Sequence, residues 1–237
     1  VKKDIRTILV TGSGLILCLV SLALLFYPVP TRVSYPEGLV SAISQLMLLL
    51  EIGLSAYLLY LSHKHRQYLA MILNVLQMGI MGGFELIYGH AIKVKHAFVI
   101  DQFSVIMALL IGVIGSLIAM YSIGYMRDFH RDYQKTVPDK RNVFFFLLYV
   151  FLSAMFGIVF ANDLLWMHYF WEITTICSFL MIGYKETEES VTNAFRALTY
   201  NLLGGVSFAI GVVYLYRHTG TVELETMLTL GKTGVLI

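Results

Sequence analysis

Residues 103–125, FSVIMALLIGVIGSLIAMYSIGY, form an apolar run that contains no charged side chain. An α-helix rises about 1.5 Å per residue, so about 20 apolar residues are enough to cross the hydrocarbon core of a bilayer. Runs of similar length and character flank it on both sides, at 5–27, 39–61, 68–88, 143–161, 164–184 and 194–216. The sequence therefore predicts an all-α integral membrane protein with about seven transmembrane helices.

The composition favours a lipid environment and excludes most soluble classes of protein. Hydrophobic residues make up 58% of the 237 residues and charged residues only 14%, whereas about one quarter of the residues in soluble domains are charged. The formal net charge is +2, and the basic residues lie between the apolar runs, which argues against a nucleic-acid partner. Cys18 and Cys177 lie inside apolar runs without metal-ligand spacing. We therefore expect no catalytic centre, metal or cofactor in this chain.

The distribution of Lys and Arg predicts the orientation in the membrane, because cytoplasmic segments carry an excess of both residues. With a cytoplasmic N-terminus, 12 of the 17 Lys and Arg residues fall in cytoplasmic segments and the other 5 in outer segments. The longest predicted loop, 127–142, is then cytoplasmic. We expect the N-terminus inside and the last helix, 194–216, to end outside.

A glutamate lies near the centre of the run 164–184, at a depth where ionisable side chains are costly and usually functional. His168 precedes this residue, Glu172, by four positions and Thr175 follows it by three, so the three side chains share one helix face. Such a cluster is typical of a proton path. The alternative is a buried glutamate that only fixes the packing of neighbouring helices.

Other polar residues in the runs are open to two interpretations. Glu51, in the second run, takes part in ion translocation or only contributes to packing, and Glu85, in the third, is interpreted as reaching the lipid headgroups. Arg196 is either an anchor at the cytoplasmic interface or a charge on the proton path. Asn74 and Gln77 are more typical of hydrogen bonds between helices than of ligands.

Short motifs occur along the second half of the chain in a characteristic order, namely IDQFS at 100–104, ANDLL at 161–165, WE at 171–172, CSFLMIGY at 177–184, NAFR at 193–196 and HTGT at 218–221. Together they resemble the antiporter-like membrane subunit of respiratory complex I, of the NADH dehydrogenase subunit 5 type. Energy-converting (group 4) hydrogenases and Mrp antiporters share this family. The resemblance covers residues from about 101 to 227, a little over half of the chain.

The resemblance implies an ion-translocating subunit, for H⁺ or Na⁺, that couples electron transfer in a redox complex to ion pumping. Glu172 matches the family's mid-membrane glutamate, and Arg196 stands where relatives often carry a basic residue. His168 departs from the family, in which Tyr or Phe is expected. The implied partners are other membrane subunits and peripheral redox subunits that hold iron–sulfur and other redox centres. The implied location is the plasma (inner) membrane of a bacterium or archaeon.

The resemblance also divides the chain into two parts. Residues 1–100 are expected to form N-terminal transmembrane helices with an additional hairpin at 39–88, and residues 101–237 to form the first half of an antiporter-like core. The family's lysine on a broken helix would follow further along, so we expect this chain to be part of a longer bundle. Insertion of the hairpin favours a hydrogenase relative over an NADH dehydrogenase. The alternatives are a subunit of a multisubunit cation/proton antiporter and a non-conducting membrane scaffold.

Overall fold

The computed structural model of the protein describes residues 2–89, 92, 94–132 and 139–232, with the backbone alone at 2–4, 37, 132, 231 and 232. Long helices dominate this part of the chain, as the apolar runs predict. They are α1 (Lys2–Ala23), α2 (Glu37–Lys64), α3 (Tyr68–Tyr88), α4 (Gln102–Leu109), α5 (Gly115–Asp132), α6 (Arg141–Phe160), α7 (Leu164–Ile182), α8 (Glu188–Thr219) and α9 (Leu224–Lys232).

Six of the described helices are long and apolar enough to cross a membrane, namely Ile5–Phe26, Gly38–Lys64, Tyr68–Tyr88, Gln102–Arg131, Arg141–Phe160 and Glu188–Thr219. The seventh predicted run forms α7, but α7 is not among the six. Its polar residues His168, Glu172 and Ser178 lower its hydropathy. Instead of facing lipid, α7 packs between α6 and α8 with nine buried side chains. The prediction of an all-α membrane protein is confirmed, with α7 as a helix packed between two others.

A π-helical turn at Leu110–Ile114 joins α4 to α5, so that the run quoted first forms one continuous span. Gly112 lies in this turn against α1. A Cβ atom placed on Gly112 would lie only 1.7 Å from the hydroxyl oxygen of Ser21. The close approach of α1 therefore requires glycine at this position. Small residues commonly allow such close packing between membrane helices.

Three features differ from the sequence-based expectations. Helix α5 extends to Asp132, so the first six residues of the predicted loop 127–142 are helical, and residues 133–138 lie outside the described part. Helix α9 was not predicted. A two-stranded antiparallel ribbon, β1 (Thr31–Val33) with β2 (Phe98–Ile100), pairs Arg32 with Val99. Each strand has only three residues, which is too few for a periodic sequence pattern, so the sequence does not predict them.

The ribbon, α9 and the link between α6 and α7 lie at the same end of the bundle, which we call the ribbon end. Asn162 holds this end together, since its side chain donates to His96 O at 2.8 Å and accepts from Glu225 N at 2.9 Å. Asp163 caps α7 by accepting from Leu165 N at 2.8 Å. The short link between α6 and α7 is therefore held in place, and it fixes where α7 begins.

The additional hairpin, α2–α3, is an integral part of the bundle. A buried cluster joins it to α7 and α8 through Leu58, Ala70, Ile176, Leu198 and Leu202, which are all at most 7% exposed. In lipid the hydrophobic effect does not drive helices together, so close van der Waals packing of this kind supplies the attraction. The hairpin thereby brings its own polar residues to the face of α7 that carries Glu172.

Candidate ion-translocation site

Four polar side chains from three helices form a connected series inside the bundle. Glu51 belongs to α2, Gln77 to α3, and His168 and Glu172 to α7. Glu51 Oε1 lies 3.5 Å from His168 Nδ1, and His168 Nε2 lies 3.0 Å from Gln77 Nε2. Gln77 Nε2 also donates to Glu172 Oε1. We call this series, Glu51–His168–Gln77–Glu172, the polar chain.

Helical spacing places the α7 members of the polar chain. His168 and Glu172 are four residues apart, which puts both side chains on one face of the helix. Glu172 lies eight residues after Leu164, so it is roughly 12 Å from the ribbon end of α7. The predicted pairing of these two side chains is therefore mediated by Gln77, which lies within hydrogen-bonding distance of both.

A glycine on α8 makes room for Gln77. A Cβ atom on Gly205 would lie 2.5 Å from Gln77 Oε1 and 2.6 Å from Gln77 Nε2. No real Cβ atom tolerates such distances, so any larger residue at 205 displaces the amide. Gly205 makes no hydrogen bond to His168 or Glu172. It positions Gln77 between them only by leaving room for the amide.

The hydrogen bonds define the roles of the imidazole nitrogens. Gln77 Nε2 carries hydrogens and has no lone pair to offer, so His168 Nε2 is the acceptor in their contact. The hydrogen of the neutral ring is then on Nδ1, which points towards Glu51 and has no hydrogen-bond partner. The ring stacks on Phe208 with centroids 5.7 Å apart and an angle of 6° between the planes. This stacking fixes the plane in which the imidazole donates and accepts.

The polar chain is deeply buried, and its acids have no basic neighbour of the kind that usually compensates a buried charge. His168 is 0% exposed, Gln77 3% and Glu172 7%. Residues 38–62, 68–88 and 164–182, the interiors of the three helices, contain no Lys or Arg. Uncompensated acids at this depth carry a large desolvation cost. Packing alone does not require such a cost, since apolar side chains would fill the same space.

Between Glu51 and the ribbon end lies a small cavity of about 20 Å³, which is enough for one water molecule. Glu51 and Ser44 of α2, Glu85 of α3, and Trp166 of α7 are among its lining residues. The interpretation of Glu85 as a residue that only reaches the headgroups is thus incomplete, because Glu85 lines this cavity and is partly buried. Trp166 Nε1 donates to Ser44 Oγ at 3.0 Å and so ties α7 to α2 beside the cavity.

Two of the predicted site residues lie outside the polar chain. Thr175 is 2% exposed, but its hydroxyl donates to Trp171 O of its own helix at 3.1 Å. Arg196 is exposed in a surface depression near the start of α8, beside Glu188 and Thr192. Glu172, His168 and Glu51 are the predicted residues that the structure brings together. Whether any of the five moves ions stays a prediction.

Sequence reasoning assigned Gln77 only a packing role, together with Asn74. Asn74 has such a role, since it accepts from Ser55 Oγ at 2.8 Å and donates to Ser55 O at 3.0 Å, which joins α2 to α3. Gln77 instead lies one turn further along α3 and faces α7. Its depth near the middle of a predicted span was the only signal that could have singled it out. Among the described residues, no group of His, Cys, Asp and Glu could hold a metal ion.

The opposite end of the bundle carries most of the described basic residues and is called the basic end. There Arg141 Nε donates to Asp139 Oδ1 at 2.7 Å, and this hydrogen bond holds the pKa of the Asp139 carboxyl well below its usual range. Lys140 pairs with Glu186, and His130 Nε2 lies 3.2 Å from the hydroxyl of Tyr184. These contacts tie α5, α6 and the α7–α8 link together, at a distance from the polar chain.

The fold and the buried polar chain define the class of the molecule, a polytopic membrane protein with ionisable side chains at mid-membrane depth. Two family models match the sequence. Residues 161–236 match the NADH:quinone oxidoreductase/Mrp antiporter transmembrane family, and residues 87–135 match the N-terminal region of chain 5 of NADH-ubiquinone oxidoreductase (complex I). The chain therefore belongs to the family of antiporter-like membrane subunits that complex I shares with Mrp antiporters.

Individual relatives come from both branches of this family. The chain is 34% identical over 163 residues to antiporter subunit mnhA2 of Staphylococcus haemolyticus, which is 68% of this chain and 19% of that protein. It is 32% identical over 142 residues to the chloroplastic NAD(P)H-quinone oxidoreductase subunit 5 of Physcomitrium patens, 60% of this chain and 18% of that one. The chain thus spans less than a fifth of the length of these curated relatives.

Among solved structures, a chain of the membrane-bound sulfane sulfur reductase, an archaeal respiratory membrane complex, matches with a TM-score of 0.47 and 18% identity. The match covers 79% of this chain and 40% of that one.

Proposed function

We propose that this chain is part of an ion-translocating membrane subunit and that the ion moves along the polar chain. The observation that carries the proposal is the contact series from Glu51 through His168 and Gln77 to Glu172, which links three helices within a buried, apolar bundle. Acids and an imidazole in hydrogen-bonding sequence are the side chains that relay protons in pumps and transporters.

The chemistry of the middle of the polar chain favours H⁺ over Na⁺. Hard cations such as Na⁺ prefer several oxygen ligands. Between Glu51 and Glu172 the polar chain presents the imidazole of His168 and the amide nitrogen of Gln77. An imidazole accepts a proton on one nitrogen and releases one from the other, so the arrangement suits proton transfer.

The two branches of relatives support two contexts for this activity. In the first, the subunit belongs to a redox-driven respiratory or energy-converting hydrogenase complex whose peripheral subunits hold iron–sulfur and other redox centres. In the second, it belongs to a multisubunit cation/proton antiporter, which the 34% identity to an antiporter subunit supports. Purification of the intact complex distinguishes them, because iron–sulfur subunits accompany the chain only in the first. In both, the partners are other membrane subunits.

The excess of Lys and Arg at the basic end supports a cytoplasmic location for that end, in the plasma membrane of a bacterium or archaeon. An exposed position such as Thr192 tests this, since its hydroxyl only donates to Glu188 O of the same helix. In a chain without native cysteines, Thr192→Cys should react with impermeant thiol reagents from the cytoplasmic side only. Reaction from the outside in intact cells would reverse the orientation.

The test of the function is Glu172→Gln in the complete complex, reconstituted into sealed vesicles. Glutamine keeps the shape and can still bond to Gln77, but it cannot titrate. Proton translocation should fall by about 100-fold, a typical loss when a proton-transfer group is removed, while the complex still assembles. Glu172→Asp should lose less, because it keeps the acid. Full translocation by an assembled Glu172→Gln complex would leave only the scaffold role.

A further inference from the structure

The polar chain needs a connection to water, and the inserted hairpin provides one. We infer that the cavity between α2, α3 and α7 is the proton exit port of this subunit at the ribbon end, with Glu51 and Glu85 as its proton-exchanging groups. We call it the ribbon-end port. The inference rests on the proposed function, which requires a proton at Glu172 to reach one surface of the membrane.

Position along the helices supports an exit towards the ribbon end. Glu85 is three residues from the end of α3, so roughly 4.5 Å of helix separates it from the ribbon end. Glu51 lies near the middle of α2, with the cavity between it and that end. Glu85 therefore lies near the surface and Glu51 lies deeper, next to His168. The cavity between the two carboxyl groups has room for one water molecule.

A second observation points to the same direction. His168 is wholly buried, and its Nδ1 atom faces Glu51 without a hydrogen-bond partner. The separation of 3.5 Å from Glu51 Oε1 is longer than a normal N–H···O bond of about 2.9 Å. Among the described contacts of the polar chain, the one between His168 and Glu51 of α2 is therefore not a hydrogen bond. A small approach of α2 to α7 would complete it.

The proton balance of the step follows from the tautomer. The Gln77 amide first moves out of its contact with His168 Nε2, and a proton from Glu172, one helical turn away, adds to that nitrogen. The imidazolium then releases the Nδ1 proton to the Glu51 carboxylate, and Glu51 passes it to water in the cavity. One proton enters the ring and one leaves it, and a half-rotation of the ring restores the starting tautomer. The titratable groups that face Glu51 from neighbouring helices are His168, Tyr169, Glu85 and Glu172, and among them only the His168 imidazolium formed in this step is a cation.

The hydrogen bond between Trp166 and Ser44 forms a latch beside the port. It is a direct bond between α2 and α7, seven residues before Glu51 on α2 and two residues after the start of α7. Both residues are therefore on the ribbon-end side of Glu51. Apolar side chains of α2 also pack near Trp166, namely Val40, Ile43 and Met47. Loss of the hydrogen bond would loosen α2 from α7 beside the cavity, and we expect it to ease the access of water to Glu51.

Two cysteine variants on one face of α2 test the port. Leu48 lines the cavity, and Ser55, seven residues further on, is 6% exposed beyond Glu51. In the full complex, with Cys18 and Cys177 of this chain replaced by Ala, Ag⁺ is added to one side of sealed vesicles and free thiol is then counted after denaturation. Leu48→Cys should react from the ribbon-end side only, and Ser55→Cys from neither side. Removal of the latch by Ser44→Ala should speed the Leu48→Cys reaction by about fivefold, the equivalent of one hydrogen bond.

The translocation assay separates this inference from the proposed function. Glu51→Gln should lower proton translocation by about tenfold. A silent Leu48→Cys thiol, or equal reaction of Ser55→Cys, together with full translocation by Glu51→Gln, overturns the port. If Glu172→Gln still abolishes translocation in that case, the proposed function stands and its exit lies elsewhere. Full translocation by Glu172→Gln rejects the proposed function, whatever the labelling shows.

Discussion

Helix α7 and the hairpin α2–α3 each contribute two residues to the polar chain, yet they differ in their match to the family models and in their environment. Helix α7 lies inside the segment that matches the antiporter family, whereas residues 37–86 lie outside both matched segments. His168 of α7 is fully buried, but the Glu51 side chain on the hairpin is 13% exposed. The comparison indicates that the hairpin extends the buried site of α7 towards a surface.

The largest expected effect comes from the residue that joins the two regions. His168→Phe keeps an aromatic ring against Phe208 but removes both nitrogens, so Glu51 is disconnected from Gln77 and Glu172. Proton translocation in vesicles should fall by about 10- to 100-fold. Thr175→Val is the matched control on α7, because the Thr175 hydroxyl bonds only to Trp171 O of its own helix. An active His168→Phe variant would show that Glu172 works without a connection to Glu51.

A smaller effect is expected at Gly205 of α8, which makes room for the hairpin residue Gln77. Gly205→Ala places a Cβ atom where the Gln77 amide now lies, so the amide must shift from His168 and Glu172. Translocation should fall by about tenfold, since small misplacements of transfer groups are costly. Gly211→Ala, with nothing within 4 Å of its added Cβ, should leave translocation unchanged. Equal rates for the two variants would contradict the positioning role of Gly205.

Within the hairpin, a variant of Asn74 distinguishes a role in helix packing from a role in ion conduction. Asn74→Ala removes both hydrogen bonds to Ser55 but leaves the polar chain intact. The expected loss of stability is roughly 1 kcal/mol, as for other hydrogen bonds between membrane helices, and translocation by the assembled complex should be unchanged. Thermal unfolding in detergent measures the first and the vesicle assay the second. A translocation defect without loss of stability would place Asn74 on the path.

The smallest effect is expected at the basic end. Arg196 is exposed and lies outside the polar chain, although the family resemblance implied a part in ion translocation. Arg196→Gln should therefore translocate protons within about twofold of the unmodified complex, because exposed charges contribute little to buried sites. A severe defect would show that the ion path turns from Glu172 towards α8 rather than towards the hairpin.

Much of the fold can be predicted from the sequence, because a helix that spans a membrane needs about 20 consecutive apolar residues. Each run of about 20 apolar residues became a helix, with α3 at its predicted bounds, Tyr68–Tyr88. Helix α7 was predicted as one span among seven, but its polar residues set it apart. The ribbon and α9 were missed because short elements at an interface depend on contacts such as those of Asn162, which join distant parts of the chain.

By itself, the sequence determined that this protein lies in a membrane, which seven stretches form its long helices, and that Glu172, His168 and Glu51 are costly residues at membrane depth. These properties are local, because helix formation in lipid and desolvation of a side chain depend on the residue and its near neighbours. Only the tertiary structure decided that Gln77 joins His168 to Glu172 and that Glu51 faces His168. Such contacts depend on how helices rotate and pack against each other, which no single apolar run encodes.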